Sequence, residues 1–230
     1  MFNSINTLIS LILGVVPSIL WLLFWLREDR AKPEPKVRIL SSFIAGMLAV
    51  IVVLPIEKTL YQVFSPLKIT LLILILWAAV EEILKYLAAY FGGLRFKEND
   101  EPIDYIIYMI SAALGFSALE NAFFLTKMIQ DGLITQSIIN GNMRFIGATL
   151  LHTISSATVG VFLAFGFFKR KTPKFLSYLL TGLVSSIVLH SIFNALIMKW
   201  GEYIFFIFGG VWICIIILLV VFEKVKKITK

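Results

Sequence analysis

The chain has 230 residues, 59% hydrophobic and only 15% charged, with a net charge of +7 and a mean hydropathy of +0.92. Soluble domains carry about 45–50% apolar and about 25% charged residues, so this composition excludes a soluble globular domain and points to a polytopic helical membrane protein. The basic residues lie between apolar blocks and not on one face, which argues against a nucleic-acid partner, and the single cysteine, Cys214, excludes an intrachain disulfide and a cysteine-based zinc site.

Seven apolar blocks follow one another, approximately at 5–26, 38–55, 67–91, 103–127, 144–168, 175–198 and 203–222. Most exceed the ~20 residues that cross the hydrocarbon of a bilayer. They predict an all-α bundle of about seven membrane helices in one domain spanning 1–230. The first block lacks a basic leader and a small-residue cleavage site, and reads as a retained helix. Pro33 and Pro35 stiffen the loop that follows it, Pro55 closes the second and shortest block, and Gly92-Gly93 ends or bends the third. No repeat of 20–50 residues and no matching pair of broken helices occurs.

Orientation follows from Lys and Arg. The loop at 27–38 holds Arg27, Arg30, Lys32, Lys36 and Arg38, and the loop at 92–102 holds Arg95 and Lys97. Lys169, Arg170, Lys171 and Lys174 follow the fifth block, and Lys224, Lys226, Lys227 and Lys230 form the tail. These alternate loops collect 15 of the 21 basic residues. The opposite side has Lys58, Lys68, Lys127, Arg144 and Lys199. The positive-inside rule then predicts an external N-terminus and a cytoplasmic C-terminus.

Ionisable residues interrupt four consecutive blocks. Glu81, Glu82 and Lys85 lie in the third, Glu120 in the fourth, His152 in the fifth and His190 in the sixth, with Asn194 one turn after His190. A charge at the bilayer centre costs at least about 2.5–3.5 kcal/mol on insertion scales, so such groups face a protein interior or a wet cavity. Lys85 sits three and four residues after the glutamates and neutralises one of them, which leaves one carboxylate for chemistry. The plainer alternative is an ion pair that fixes helix packing. Segregation of these groups to helices three to six suggests one shared cavity. At about 1.5 Å per residue, Glu120, His152 and His190 share a level in the outer half, while Glu81 falls about 10 Å deeper. Arg144, eight residues before His152, faces the same way and either snorkels, holds a substrate carbonyl or pairs with a glutamate. Ser155, Ser156, Thr158 and Gly160 read as close-packing positions.

The order Glu81-Glu82-x-x-Lys85, Phe116-x-x-x-Glu120-Asn121, His152, His190-x-x-x-Asn194 resembles the PrsW intramembrane proteases, relatives of the type II CAAX prenyl endopeptidases, over roughly residues 75–200. The resemblance implies a catalytic core at approximately 67–200, with Glu81 as the base that activates water and Glu120 as its partner. It gives His190 and Asn194 the oxyanion, and Glu82 and Lys85 the support of the helix. Glu120 stands where the prenyl endopeptidases have histidine, so a prenylated substrate is not implied. The implied substrate is a membrane-anchored protein, of anti-sigma-factor type, cut on the outer side of a bacterial plasma membrane during stress.

Chemistry independent of the family supports a peptide hydrolase. Hydrolysis needs a base, an acid and oxyanion donors, and two poorly solvated carboxylates supply base and acid as one titrating unit. His152 is the other candidate partner for Glu81. No metal or other cofactor is expected, because no helix offers an i, i+4 histidine pair, although Glu81, Glu120, His152 and His190 would make a zinc set if all converged. A proton-coupled transporter and a non-catalytic membrane scaffold are the competing classes.

Overall fold

The computed structural model describes residues 4–27 and 32–228; Arg30 and Lys230 of the orientation argument lie outside them. The described residues form eight α-helices and no strand. They are α1 (Ser4–Trp25), α2 (Lys36–Phe64), α3 (Thr70–Ala89), α4 (Asp104–Gln130), α5 (Ile134–Ile146), α6 (Ala148–Phe165), α7 (Lys174–Trp200) and α8 (Ile204–Val225). Five stretches are long and apolar enough to cross a membrane: Leu8–Trp25, Lys36–Leu67, Asp104–Gln130, Thr135–Phe165 and Lys174–Val225. The last contains both α7 and α8. α3 stands outside the set because Glu81, Glu82 and Lys85 sit within its 20 residues.

α4 is the axis of the bundle. Every residue from Asp104 to Ala118 is buried, because α1, α2 and α6 pack around it. Small residues allow the close approach. At the α2–α4 crossing, Gly46 lies on the Ala112 carbonyl and Gly115 on the Phe43 carbonyl, with no room for a Cβ at either. α8 closes the far side through Trp25 of α1 stacked on Phe222, centroids 5.4 Å apart.

Three of the basic loops meet at one end of the bundle. Lys32 Nζ bonds Asp100 at 2.6 Å, Arg38 meets Glu98 at 3.3 Å, and Arg170 donates to the Asn99 carbonyl at 3.1 Å. The Glu98 carboxyl is held below its ordinary range chiefly by a backbone hydrogen bond, with help from Arg38.

Three expectations change. The second helix does not stop at Pro55 but runs to Phe64; membrane helices tolerate proline where neighbours and local adjustment meet the freed carbonyl. Glu81 lies 3.7 Å from His152 and 3.9 Å from His190, so the expected difference in level of about 10 Å does not occur. The segment before the fifth block is a helix of its own, α5. Gly147, at φ −123°, ψ −77°, breaks the chain between α5 and α6, so Arg144 and His152 do not share a helix. A side chain at 147 would collide with the Phe208 ring.

Candidate active site

Four helices present their polar stripes to one point. Along α3 the buried positions Ala78, Glu81, Glu82, Lys85 and Ala89 follow the spacing of a single helical face. On α7, Gly182, Ser186 and His190 are buried at four-residue intervals, and Asn194 continues that line into a cavity. α6 contributes Thr149, His152, Ser155 and Ser156, all buried.

Glu82 is the hub. Its Oε1 accepts from Lys85 at 2.8 Å, Ser155 at 3.1 Å and His190 Nδ1 at 2.9 Å. Its Oε2 accepts from Ser156 and Ser186, each at 2.9 Å. A carboxylate has about four lone-pair sites, so Glu82 is saturated by donors from three helices and has no capacity left to activate water.

Lys85, fully buried, spends its three N–H donors on Glu81 Oε2 at 3.0 Å, Glu82 Oε1 at 2.8 Å and His152 Nδ1 at 2.8 Å. The Phe116 ring covers the ammonium at 4.3 Å, a favourable cation–π contact. Because an ammonium only donates, His152 Nδ1 is an acceptor and the ring proton sits on Nε2. That proton goes to Glu120 Oε2 at 3.0 Å. Glu120 is held in turn by Arg144 Nη2 at 2.6 Å, and Arg144 Nε donates to Asn121 Oδ1. The Asn121 amide donates to Ser117 and Thr149. Arg144 therefore pairs with a glutamate and does not snorkel.

Glu81 is placed differently. One oxygen faces Lys85, 3.7 Å from His152 Nδ1 and 3.9 Å from His190 Nε2. It lines a cavity of about 240 Å³ with Glu120, Arg144, His152, His190 and Asn194. Met143, Phe193, Ile204 and Phe208 make the apolar wall. The arrangement offers a carboxylate, an imidazole and amide donors to whatever enters. All nine residues singled out from the sequence come together here. Glu81 and Glu120 meet only through His152, however, and not as a directly bonded pair. Ser155 and Ser156, which read as packing positions in the sequence, and Ser186, which carries no local signal, all donate to Glu82. Glu57 of α2 meets α3 through its backbone carbonyl, which accepts the Trp77 indole N–H at 3.0 Å.

Ligand atoms of Glu81, Glu82, His152 and His190 lie within 4.8 Å of one another, as a metal site requires. The Lys85 ammonium already engages three of these four side chains at 2.8–3.0 Å, so the cluster's resident cation is an ammonium.

The profile of a family described as "PrsW family intramembrane metalloprotease" matches residues 34–222. A protein named Protease PrsW from Geobacillus kaustophilus is 30% identical over 207 residues, covering 86% of this chain and 85% of that protein. Proteins of the same name from Halalkalibacterium halodurans (24% identical, 93% and 94% covered) and Clostridioides difficile (26%, 83% and 81%) are similar across nearly the whole length. No solved structure matches the chain.

Proposed function

Because this chain belongs to the PrsW family of intramembrane proteases, we propose that it hydrolyses a membrane-anchored protein with water activated by Glu81. The observation that carries the proposal is that Glu81 alone of the α3 glutamates faces the cavity, while Glu82 is saturated. Water in the cavity gives a proton to the Glu81 carboxylate as its oxygen attacks the peptide carbonyl. The carboxyl so formed returns the proton to the leaving amine as the C–N bond breaks, which yields a carboxylic acid and an amine. Asn194 and His190 line the cavity where the oxyanion forms. His190 donates its Nδ1–H to Glu82 at 2.9 Å, which fixes the ring with its Nε2 edge toward Glu81. His152, fixed by Glu120 and Arg144, holds the Lys85 ammonium in place beside Glu81.

The family description carries a metal, but the donors do not fit one while Lys85 stands among them. A divalent cation at their centre would meet an ammonium within hydrogen-bonding distance of the same ligands, and like charges at that range repel strongly where water is excluded. No step of the reaction is routed through a metal.

A protein anchored by a single helix, of the anti-sigma-factor type, is the substrate class we favour, with the bacterial plasma membrane as the location, an external N-terminus and a cytoplasmic C-terminus. Purified protein in liposomes, tested on single-pass substrates, checks the reading. Glu81→Gln is expected to lower cleavage by about 10²–10⁴-fold, as loss of a general base does. His190→Ala and Asn194→Ala should each lose about 10²–10³-fold. Full activity in folded, inserted Glu81→Gln overturns the assignment.

A further inference from the structure

α7 and α8 pack far more closely on α6 than on each other. Between them runs a furrow with Ile154 and Thr158 of α6 at its floor. It consists of three apolar hollows that share walls. Leu196, Ile207 and Gly210 line the first and second, and Leu189 and Cys214 line the second and third. From Tyr203 to Val221 of α8 the furrow is about 27 Å long at 1.5 Å per residue, close to the ~30 Å of bilayer hydrocarbon. Its described lining residues are all uncharged.

The furrow adjoins the catalytic cavity. Leu151 and Phe193 line both the middle hollow and the cavity that holds Glu81 and Asn194. The Phe193 ring lies parallel to that of Phe208, with centroids 6.5 Å apart and planes at 6°, so one ring from each helix stands where furrow and cavity join. α8 also shows a face made for close approach. Gly14, Gly46, Gly115 and Gly160 each lie against the backbone of another helix, where no Cβ would fit. Small residues serve such contacts between membrane helices. Gly210 faces the furrow, yet nothing lies within 4 Å of where its Cβ would stand.

We propose that the furrow between α7 and α8 docks the apolar membrane helix of the substrate against Gly210, and that the end of that helix turns in past Phe193 and Phe208 toward Glu81. The occupant is named on the strength of the protease reading. Continuity with the cavity selects it: a lipid chain or a second copy has no need of a furrow that leads to a carboxylate, and a substrate does. The mode is a helix laid in a groove, held by side chains on one of its faces.

Cys214 is the chain's one cysteine and lines the furrow, so the protein carries its own probe. Full-length Glu81→Gln in liposomes is combined with single-pass candidate substrates, each bearing one cysteine placed in turn along the membrane helix, and oxidised with copper phenanthroline. Disulfides to Cys214 should form at positions three or four residues apart, on one helical face, and not at those between. Faint, even crosslinking along the whole helix marks chance encounters in lipid and overturns the proposal. A Cys214–Cys214 disulfide as the main product overturns it too, since the furrow would then join two copies. Gly210→Leu has room for its side chain and should weaken the crosslink about 10-fold by overfilling the groove. On a substrate that wild type cleaves, it should raise KM with kcat little changed, as loss of uniform binding does. Gly209→Leu, which lines none of the three hollows, should alter neither reading; equal effects of the two leucine variants overturn the proposal. Crosslinks without cleavage by wild type sink the protease reading and leave the docking site standing, and absence of crosslinks sinks the docking site whether or not cleavage occurs.

Discussion

Glu120 grips the His152 ring by its Nε2 at 3.0 Å, while the ring's Nδ1 faces Lys85 and Glu81. Glu120 thus acts on Glu81 through an imidazole whose tautomer it helps to set. Glu120→Gln retains an acceptor for Nε2–H but loses the ion pair with Arg144. It is expected to cost up to about 10²-fold in kcat/KM through misplacement, with the shape of the pH profile unchanged. A profile that loses one limb in this variant would make Glu120 the titrating partner of Glu81. Cleavage rates measured across pH for wild type and Glu120→Gln check this.

Glu82 answers for stability. Removing one partner from a buried charge pair costs about 3–5 kcal/mol because the other charge is left uncompensated. Glu82→Ala is therefore expected to destabilise the protein by roughly that amount, seen as a lowered thermal midpoint in detergent. Ser156→Ala and Ser186→Ala each remove one of several bonds to the same carboxylate, and should cost about 1.5–3 kcal/mol apiece, the range for hydrogen bonds to charged groups. An unchanged midpoint in Glu82→Ala would show that the network does not hold α3 in place.

Metal removal separates the ammonium-centred cluster from a metal centre. Activity is expected to survive strong chelators, and purified protein should contain substoichiometric zinc by elemental analysis. Stoichiometric zinc, with inhibition by chelator and recovery on adding zinc back, would require Lys85 to withdraw from its three partners. It would also recast Glu81 as a ligand or as the base beside a metal-bound water.

Much of this site is readable in the sequence because charge inside an apolar run is expensive and therefore conspicuous. Glu81, Glu120, His152 and His190 stand out in that way, and they converge as the segregation of ionisable residues suggested. Two parts are not readable, each for a local reason. Pro55 reads as a helix stop, so Glu57 falls into a supposed loop, although neighbouring helices and lipid let the helix continue. Asn140-Gly141-Asn142 makes the middle of α5 look like a turn, although its apolar residues fall on one helical side and its Arg144 reaches α4. Pairings were less legible than membership: the sequence brings Glu120 to the site but does not tell that an imidazole separates it from Glu81.

Biogenesis inherits a constraint from α3. Its donors from other helices come from α6 and α7, and Ser155 and Ser186 follow Glu82 by 73 and 104 residues. When α3 leaves the ribosome those hydroxyls do not yet exist, and Lys85 is the only compensation within reach. Each remaining charge then carries its full penalty in lipid, about 2.5–3.5 kcal/mol. α3 is thus a poor guest of the bilayer on its own and becomes a stable one only when the later helices dock. A chain cut after α4 should leave α3 at the membrane surface or in the hands of quality control, whereas the complete chain draws it in.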